Sequence, residues 1–198
     1  MTEAEQHAAG DPFPAHPARI EIRVTELHQL FNAIDPSPFR EKDLDPKAEA
    51  FIVEWAKELP ADAQLALLVH VDRPAGIAEE AVILREAIRE YFSQRSESTR
   101  RKLRQLFRVG RTSLLIGTLA LAGSILGSEL VAKALRAREI GTLLQESFLI
   151  GGWVAMWRPL EIFLYDWWPI RAEARLFDRL SAMPVRIADA RTQRGGAV

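Results

Sequence analysis

The sequence predicts an α+β membrane protein: a small cytosolic β-α-α-β-α domain, a two-helix transmembrane hairpin and amphipathic interfacial helices at the C-terminal end. Three observations predict it. Two long apolar segments, TSLLIGTLALAGSILGS and IGTLLQESFLIGGWVAMW, stand either side of a short charged stretch. Ahead of them, alternating and helical apolar periods follow one another as they do in a small α/β unit. The charge also divides sharply: residues 1–94 hold 9 basic and 18 acidic side chains, and residues 95–198 hold 17 and 9. An acidic front half disfavours nucleic acid, and a basic rear half beside apolar segments points to a lipid bilayer with anionic headgroups.

Residues 1–18 are polar, acidic and proline-containing, and read as a disordered tail with no cleavable signal. The cytosolic domain is expected over 19–94. RIEIRVT alternates Ile20, Ile22 and Val24 against charged neighbours, as a half-buried strand does. A short helix, ELHQLFNAI, follows it. Asp45 before Pro46 has the form of an N-cap and a proline at the first helical position, so a helix starts there and runs to Pro60. LALLVHV, residues 65–71, is apolar on both faces except at His70 and suits a covered central strand. From Ile77 a third helix leads towards the membrane. Two strands make a marginal sheet, so helix cover, an unread third strand or strands from a second copy must complete it. This is the ground for expecting self-association as a homo-oligomer.

Residues 95–111 carry seven basic side chains and one acidic, with Arg101, Arg104, Arg108 and Arg111 on one helical face. The ordinary reading is an anchor obeying the positive-inside rule, and the sharper one is recognition of an anionic lipid. The first span, 112–132, is long enough for ~30 Å of hydrocarbon. The loop, 133–139, holds Lys133, Arg136 and Arg138 with Glu139, fewer basic groups than the flank, so both termini are expected in the cytoplasm. The second span, 140–158, contains Glu146 and ends on Arg158-Pro159. It is a weaker span alone, and pairing with the first supports it.

Beyond it, 159–183 reads as amphipathic helices along the membrane surface. Leu160, Phe163, Leu164 and Trp167 lie at i, i+3, i+4, i+7 spacing between Pro159 and Pro169, and Arg171, Arg175 and Arg179 form a stripe on a second helix. Trp153, Trp157, Trp167 and Trp168 suit the headgroup boundary. Residues 184–198 read as a flexible tail.

The run GWVAMWRPLEIFLYDWWPIR, with IDPSPFREKDLDPKAEAFIVEWAKELP, resembles a family of uncharacterised bacterial membrane proteins with two transmembrane helices. The resemblance implies a bacterial cytoplasmic (inner) membrane and supplies no catalytic residues.

Candidates for chemistry are few. His28 and His70 sit on different elements, without His or Cys neighbours at ligand spacing, and cysteine is absent. Asp35, Asp43 and Asp45 lack the glycine and terminal glutamate of a calcium loop, and helix capping explains Asp45 better. No nucleophile turn or phosphate-binding loop occurs, so no catalytic residue, cofactor or metal is expected. Glu129 and Glu146 fall at one depth if the loop is centred between residues 137 and 138. They invite a paired-carboxylate reading, weighed against a structural salt bridge with Lys133, one turn after Glu129.

Helix packing is expected through small residues: Gly117, Ala120, Gly123, Ser124, Gly127 and Ser128 on the first span, and Ser147, Gly151 and Ala155 on the second. The expected function is a non-enzymatic, homo-oligomeric scaffold or adaptor that presents the cytosolic domain at the membrane. The alternatives are an oligomeric ion channel or transport subunit using Glu129 and Glu146, and a membrane-associated enzyme with a site near His70, Asp72 and Arg73.

Overall fold

The computed structural model describes residues 8–15, 17–32, 43–73, 77–134 and 139–190. The expectations for Asp35, for the turn at residues 74–76, for Arg136 and Arg138, and for the two extreme ends therefore lie outside the described residues. In chain order the elements are β1 (Ala8–Gly10), β2 (Ala18–Val24), a single 3-10 turn (Leu27–Leu30), α1 (Pro46–Glu58), β3 (Leu65–Val71), α2 (Ile77–Ala134), α3 (Glu139–Glu161), a π-helical turn (Ile162–Asp166), α4 (Trp167–Ala182) and β4 (Val185–Asp189). The fold is α+β, with one four-stranded sheet and one long apolar helix. The chain divides into a sheet unit, residues 1–97 with 174–198, and a helical unit, residues 98–173.

In the sheet unit the strand order is β1-β4-β3-β2. β2 and β4 both run parallel to β3, and β1 is antiparallel to β4. Parallel neighbours need crossovers, and α1 supplies the first. The Asp45 carboxylate accepts the Lys47 N–H at 2.9 Å and starts α1, with Pro46 at its first position. Ile52 and Ala56 are its buried positions.

Register sorts the sheet into two faces. Ile20, Ile22 and Val24 line up with Leu67, Val69 and Val71, and Leu67 and Val69 with Val185 and Ile187. This face joins Leu84, Ile88 and Phe92 of α2 and Leu176, Phe177 and Leu180 of α4 in one core. Phe92 stacks on Phe177 with ring centroids 6.1 Å apart. The opposite face carries Arg19, Glu21, Arg23, Leu68, His70 and Arg186. There the Phe13 ring centroid lies 5.8 Å from the Arg19 guanidinium and 5.1 Å from that of Arg186, so two cations share one aromatic ring.

Four sequence expectations are corrected. Part of the expected tail 1–18 is ordered: β1 pairs with β4, and the Asp11 carboxylate meets Arg85 of α2 at 2.7 Å. Gly10 between them has φ +131°, and a Cβ there would lie 2.3 Å from the Val185 carbonyl oxygen, so only glycine fits. The expected tail 184–198 contains β4, an inner strand. The sheet is thereby completed within one chain and needs no second copy. Finally, the last expected interfacial helix turns its apolar face into the sheet unit. Leu176, Phe177 and Leu180 are buried in the sheet unit, and Arg179 donates to the carbonyls of Pro60 and Ala63 at 3.0 and 2.8 Å.

A polar cluster ties α1 to α2. Tyr91 donates its hydroxyl to Glu49 at 2.6 Å, Arg95 donates through Nε to the other carboxylate oxygen at 2.8 Å, and the same guanidinium stacks over the Tyr91 ring. Burial, then the bond to Glu49, pushes the Tyr91 hydroxyl well above its ordinary pKa. Burial opposes charge on Arg95, but the hydrogen bond to Glu49 and the interactions with Tyr91 and the Glu49 charge together outweigh it and hold the guanidinium above its ordinary value. Nearby, Ser96 donates to Asp178 at 2.6 Å and so pins the end of this stretch of α2 to α4.

Candidate membrane interface

Within the helical unit, α2 continues without a break through the basic segment and the first apolar segment. The returning strand of the hairpin is α3, the π turn and the start of α4, so the helix that was expected to lie between Pro159 and Pro169 is not a separate element. Close approaches fix the pairing. Gly127 faces Phe148, Gly152 faces Ser124 and Leu121, Gly117 faces Ala155 and Met156, Gly110 faces Ile162, and Phe107 faces Phe163 and Trp167. As one helix ascends in number the other descends, so residues 107–127 run antiparallel to residues 148–167.

The seam departs from the expected one. Gly117 and Gly127 lie in it, while a Cβ on Gly123 or Gly151 would meet nothing within 4 Å. Both glycines point away from the partner helix. Gly110 and Gly152 take their place: their added Cβ atoms would come within 2.8 Å of the Ile162 and Ser124 side chains. On the returning side the seam reads Phe148, Gly152, Ala155, Pro159, Ile162, alternating steps of four and three. Spacing by fours, as in GxxxG or Ser147-Gly151-Ala155, turns 40° per step on a helix of 3.6 residues per turn and leaves such a seam. A search at 3.5 residues would have found Gly110, Gly117 and Ser124, seven apart.

Pro159 explains the closest backbone approach. It is buried inside the helix and has no N–H to give to the carbonyl four residues back, that of Ala155. A Cβ on Gly117 would stand 2.9 Å from that same oxygen, so one Cα–H of Gly117 points at the freed carbonyl. The hydroxyls of Thr118, Ser128 and Ser147 donate to carbonyls of their own helix at 2.7 to 2.8 Å, which satisfies them without water.

The outer surface of the hairpin is apolar. Of the exposed large hydrophobic residues, all but Phe51, Trp55 and Val82 fall between Val109 and Trp168. The most apolar stretch of α2 is only 11% buried, unlike the core helix of a globular protein. Among the described residues, α2 is the one helix long and apolar enough to cross a bilayer by length and composition.

Charged and aromatic residues border this surface. Arg101, Arg104, Arg108 and Arg111 are exposed on α2. Arg158, near the level of Leu114 by the pairing above, binds Glu161 and Asp166, each at 3.1 Å. The Trp157 ring N–H donates to Glu161 at 3.0 Å and that of Trp167 to the Phe163 carbonyl at 2.9 Å. Arg171 sits over the Trp167 ring at 5.6 Å. Trp153, Trp157 and Trp168 are more than half exposed.

Glu129 and Glu146 fall at one level, because Gly127 is opposite Phe148. Both are exposed, as is Lys133. The expected salt bridge is absent: among the described residues no ion pair joins Glu129, Glu146 or Lys133. No group of metal-ligating side chains occurs among the described residues. His70 sits on the open sheet face with Nε2 3.8 Å from Glu21, and Asp72 holds Arg23 at 2.8 Å. Compared with known proteins, the chain matches no family model, no curated protein and no solved structure.

Proposed function

We propose that the helical unit is a transmembrane hairpin that anchors the sheet unit at one face of a bacterial inner membrane, where the protein serves as a non-enzymatic, self-associating scaffold. The concentration of exposed apolar side chains between Val109 and Trp168 carries this reading. A surface of that extent is unstable in water and stable in hydrocarbon. Topology supports the second crossing, which composition alone leaves weak. The chain leaves the sheet unit after Glu97 and re-enters it at Ala174, so the number of crossings between them must be even. The arginines of α2 and the tryptophans of the returning helix suit an anionic headgroup layer on the side of the sheet unit. The same positive excess supports a cytoplasmic side for that unit and for both termini.

Cysteine labelling tests this, since the native chain has no cysteine. In intact cells a cysteine at Ala137 is labelled by an impermeant reagent, while one at Glu58 is labelled only after the membrane is opened. Labelling of both, or of Glu58 alone, overturns the orientation. Extraction of the full chain by carbonate without detergent overturns the anchor itself.

The channel alternative has one observation in its favour, the shared level of two exposed carboxylates without ion-pair partners. It predicts an ion flux through liposomes bearing the full chain that Glu129→Gln or Glu146→Gln abolishes. A scaffold gives no flux in either form.

A further inference from the structure

β2 is an outer strand of the sheet, with β3 on one side and no strand on the other among the described residues. Its backbone alternates in direction. Ala18 donates its N–H to Gln64 and Val24 accepts from Asp72, so residues 18, 20, 22 and 24 turn their peptide groups to β3. Arg19, Glu21 and Arg23 turn theirs outward, and all three side chains are exposed. The outward groups of Glu21 and Arg23 have no hydrogen-bond partner among the described residues. Such an edge is a template for another strand.

Charge selects the partner and its register. Two copies of β2 can pair antiparallel about a twofold axis only where outward residues oppose outward residues. An axis at Glu21 sets Glu21 against itself and Arg19 against Arg23, which like charges forbid. Moving the axis to Ile20 sets Arg23 against Pro17, which has no N–H to give. With the axis at Ile22, Glu21 of each copy faces Arg23 of the other, and Ile20 faces Val24. The second and third of those apolar side chains, Ile22 and Val24, are only half-buried in the single chain. The flanking Arg19–Thr25 pair adds no ladder bond, because Thr25 gives its N–H to Gln29 and its carbonyl accepts from Arg73. The register is therefore carried by the two Glu21–Arg23 pairs and the apolar cover of Val24. Asp72 engages Nε and one terminal nitrogen of Arg23, which leaves the other terminal nitrogen to reach a carboxylate.

We propose that the β2 edge is a homodimer interface, two copies joining antiparallel about Ile22 into one continuous eight-stranded sheet in the order β1-β4-β3-β2-β2-β3-β4-β1. This rests on the self-association reading above and gives it a surface.

The test uses the full chain in detergent and in nanodiscs, with mass measured by light scattering. The native chain is expected as a dimer. Glu21→Arg alone and Arg23→Glu alone each set like charges face to face in both pairs and weaken the dimer at least about tenfold. Mixed together, the two variants restore both ion pairs and form a heterodimer. For the register, Glu21→Cys mixed with Arg23→Cys forms a crosslink between chains under mild oxidation, and Glu21→Cys alone does not, because its own copy lies beyond disulfide reach. A monomeric native chain overturns both this interface and self-association. A native dimer that Glu21→Arg leaves intact, or variants that fail to pair when mixed, or a self-crosslink of Glu21→Cys, overturns the interface and leaves self-association standing.

Discussion

Tyr91, Glu49 and Arg95 show how one polar contact can join two helices over an apolar core. The hydroxyl proton belongs to Glu49's hydrogen bond, and burial penalises the phenolate, so the folded state holds that proton more tightly than an unfolded chain does. The sign follows from linkage. A group whose pKa is raised on folding contributes stability below its unfolded value, near ~10 for tyrosine, and that stability is lost as pH rises beyond it. Thermal unfolding of the full chain should therefore fall off above about pH 10, and Tyr91→Phe should flatten that decline. At neutral pH the same substitution removes a hydrogen bond to a charged acceptor and should cost about 1 to 2 kcal/mol, the lower part of the range for such bonds because the cluster is partly open to water. An unchanged alkaline limb in the phenylalanine variant would refute the assignment. Nothing in the sequence marks Glu49 and Tyr91 as partners, since forty-two positions separate them and each sits at an ordinary polar site of an amphipathic helix.

The helical hairpin is the element whose existence was most legible and whose seam was least so. Unbroken apolar length marks a long helix almost regardless of detail, because a run of about twenty apolar residues is too long for an ordinary strand. Facing is decided by a difference of half a residue per turn. Small residues abound on both helices, and a period of four picks out Gly123 and Gly151, whereas the packed face runs through Gly117 and Gly152. Substitution separates the two. Gly117→Leu must push its side chain into the Ala155 backbone and Gly152→Leu into Leu121 and Ser124, each an overpacking that should cost about 1 to 3 kcal/mol of hairpin stability. Gly123→Leu and Gly151→Leu point into open space and should leave protease resistance of the membrane-embedded chain unchanged. If all four behave alike, the seam is misplaced. Crosslinking of cysteines at Ser124 and Gly152 within one chain checks the same pairing directly.

At the scale of the whole molecule, the hairpin is an insertion into a β-α-β crossover. β3 and β4 are parallel neighbours, and everything between Val71 and Val185 belongs to the connection that links them. The ends of the insertion are close: the Ser96 hydroxyl lies 3.4 Å from the Ala174 carbonyl. Replacing residues 98–173 by a loop of a few residues, the ordinary length between packed helices, should give a sheet unit that folds and stays in solution without detergent. A product that aggregates or lacks strand signal would contradict the division into units. The sequence offered half of this sheet. β2 and β3 alternate or run apolar over seven residues, while β4 is five residues long, follows a proline and was hidden in a terminus that composition marks as loose. β1 has three residues and no pattern that local periodicity could detect. Stopping the chain at Met183 should be costly, because Val185 and Ile187 are fully buried, about 1.5 to 3 kcal/mol each, against a total stability of only a few times that. The position of β4 also imposes an order on synthesis. Ribosomes deliver the chain from its N-terminus, so the sheet remains without its inner partner strand until both apolar helices have already been made. Under the proposed anchoring, lipid insertion comes first and closure of the sheet unit last, so a nascent chain that misses the membrane carries an unfinished sheet rather than a finished domain.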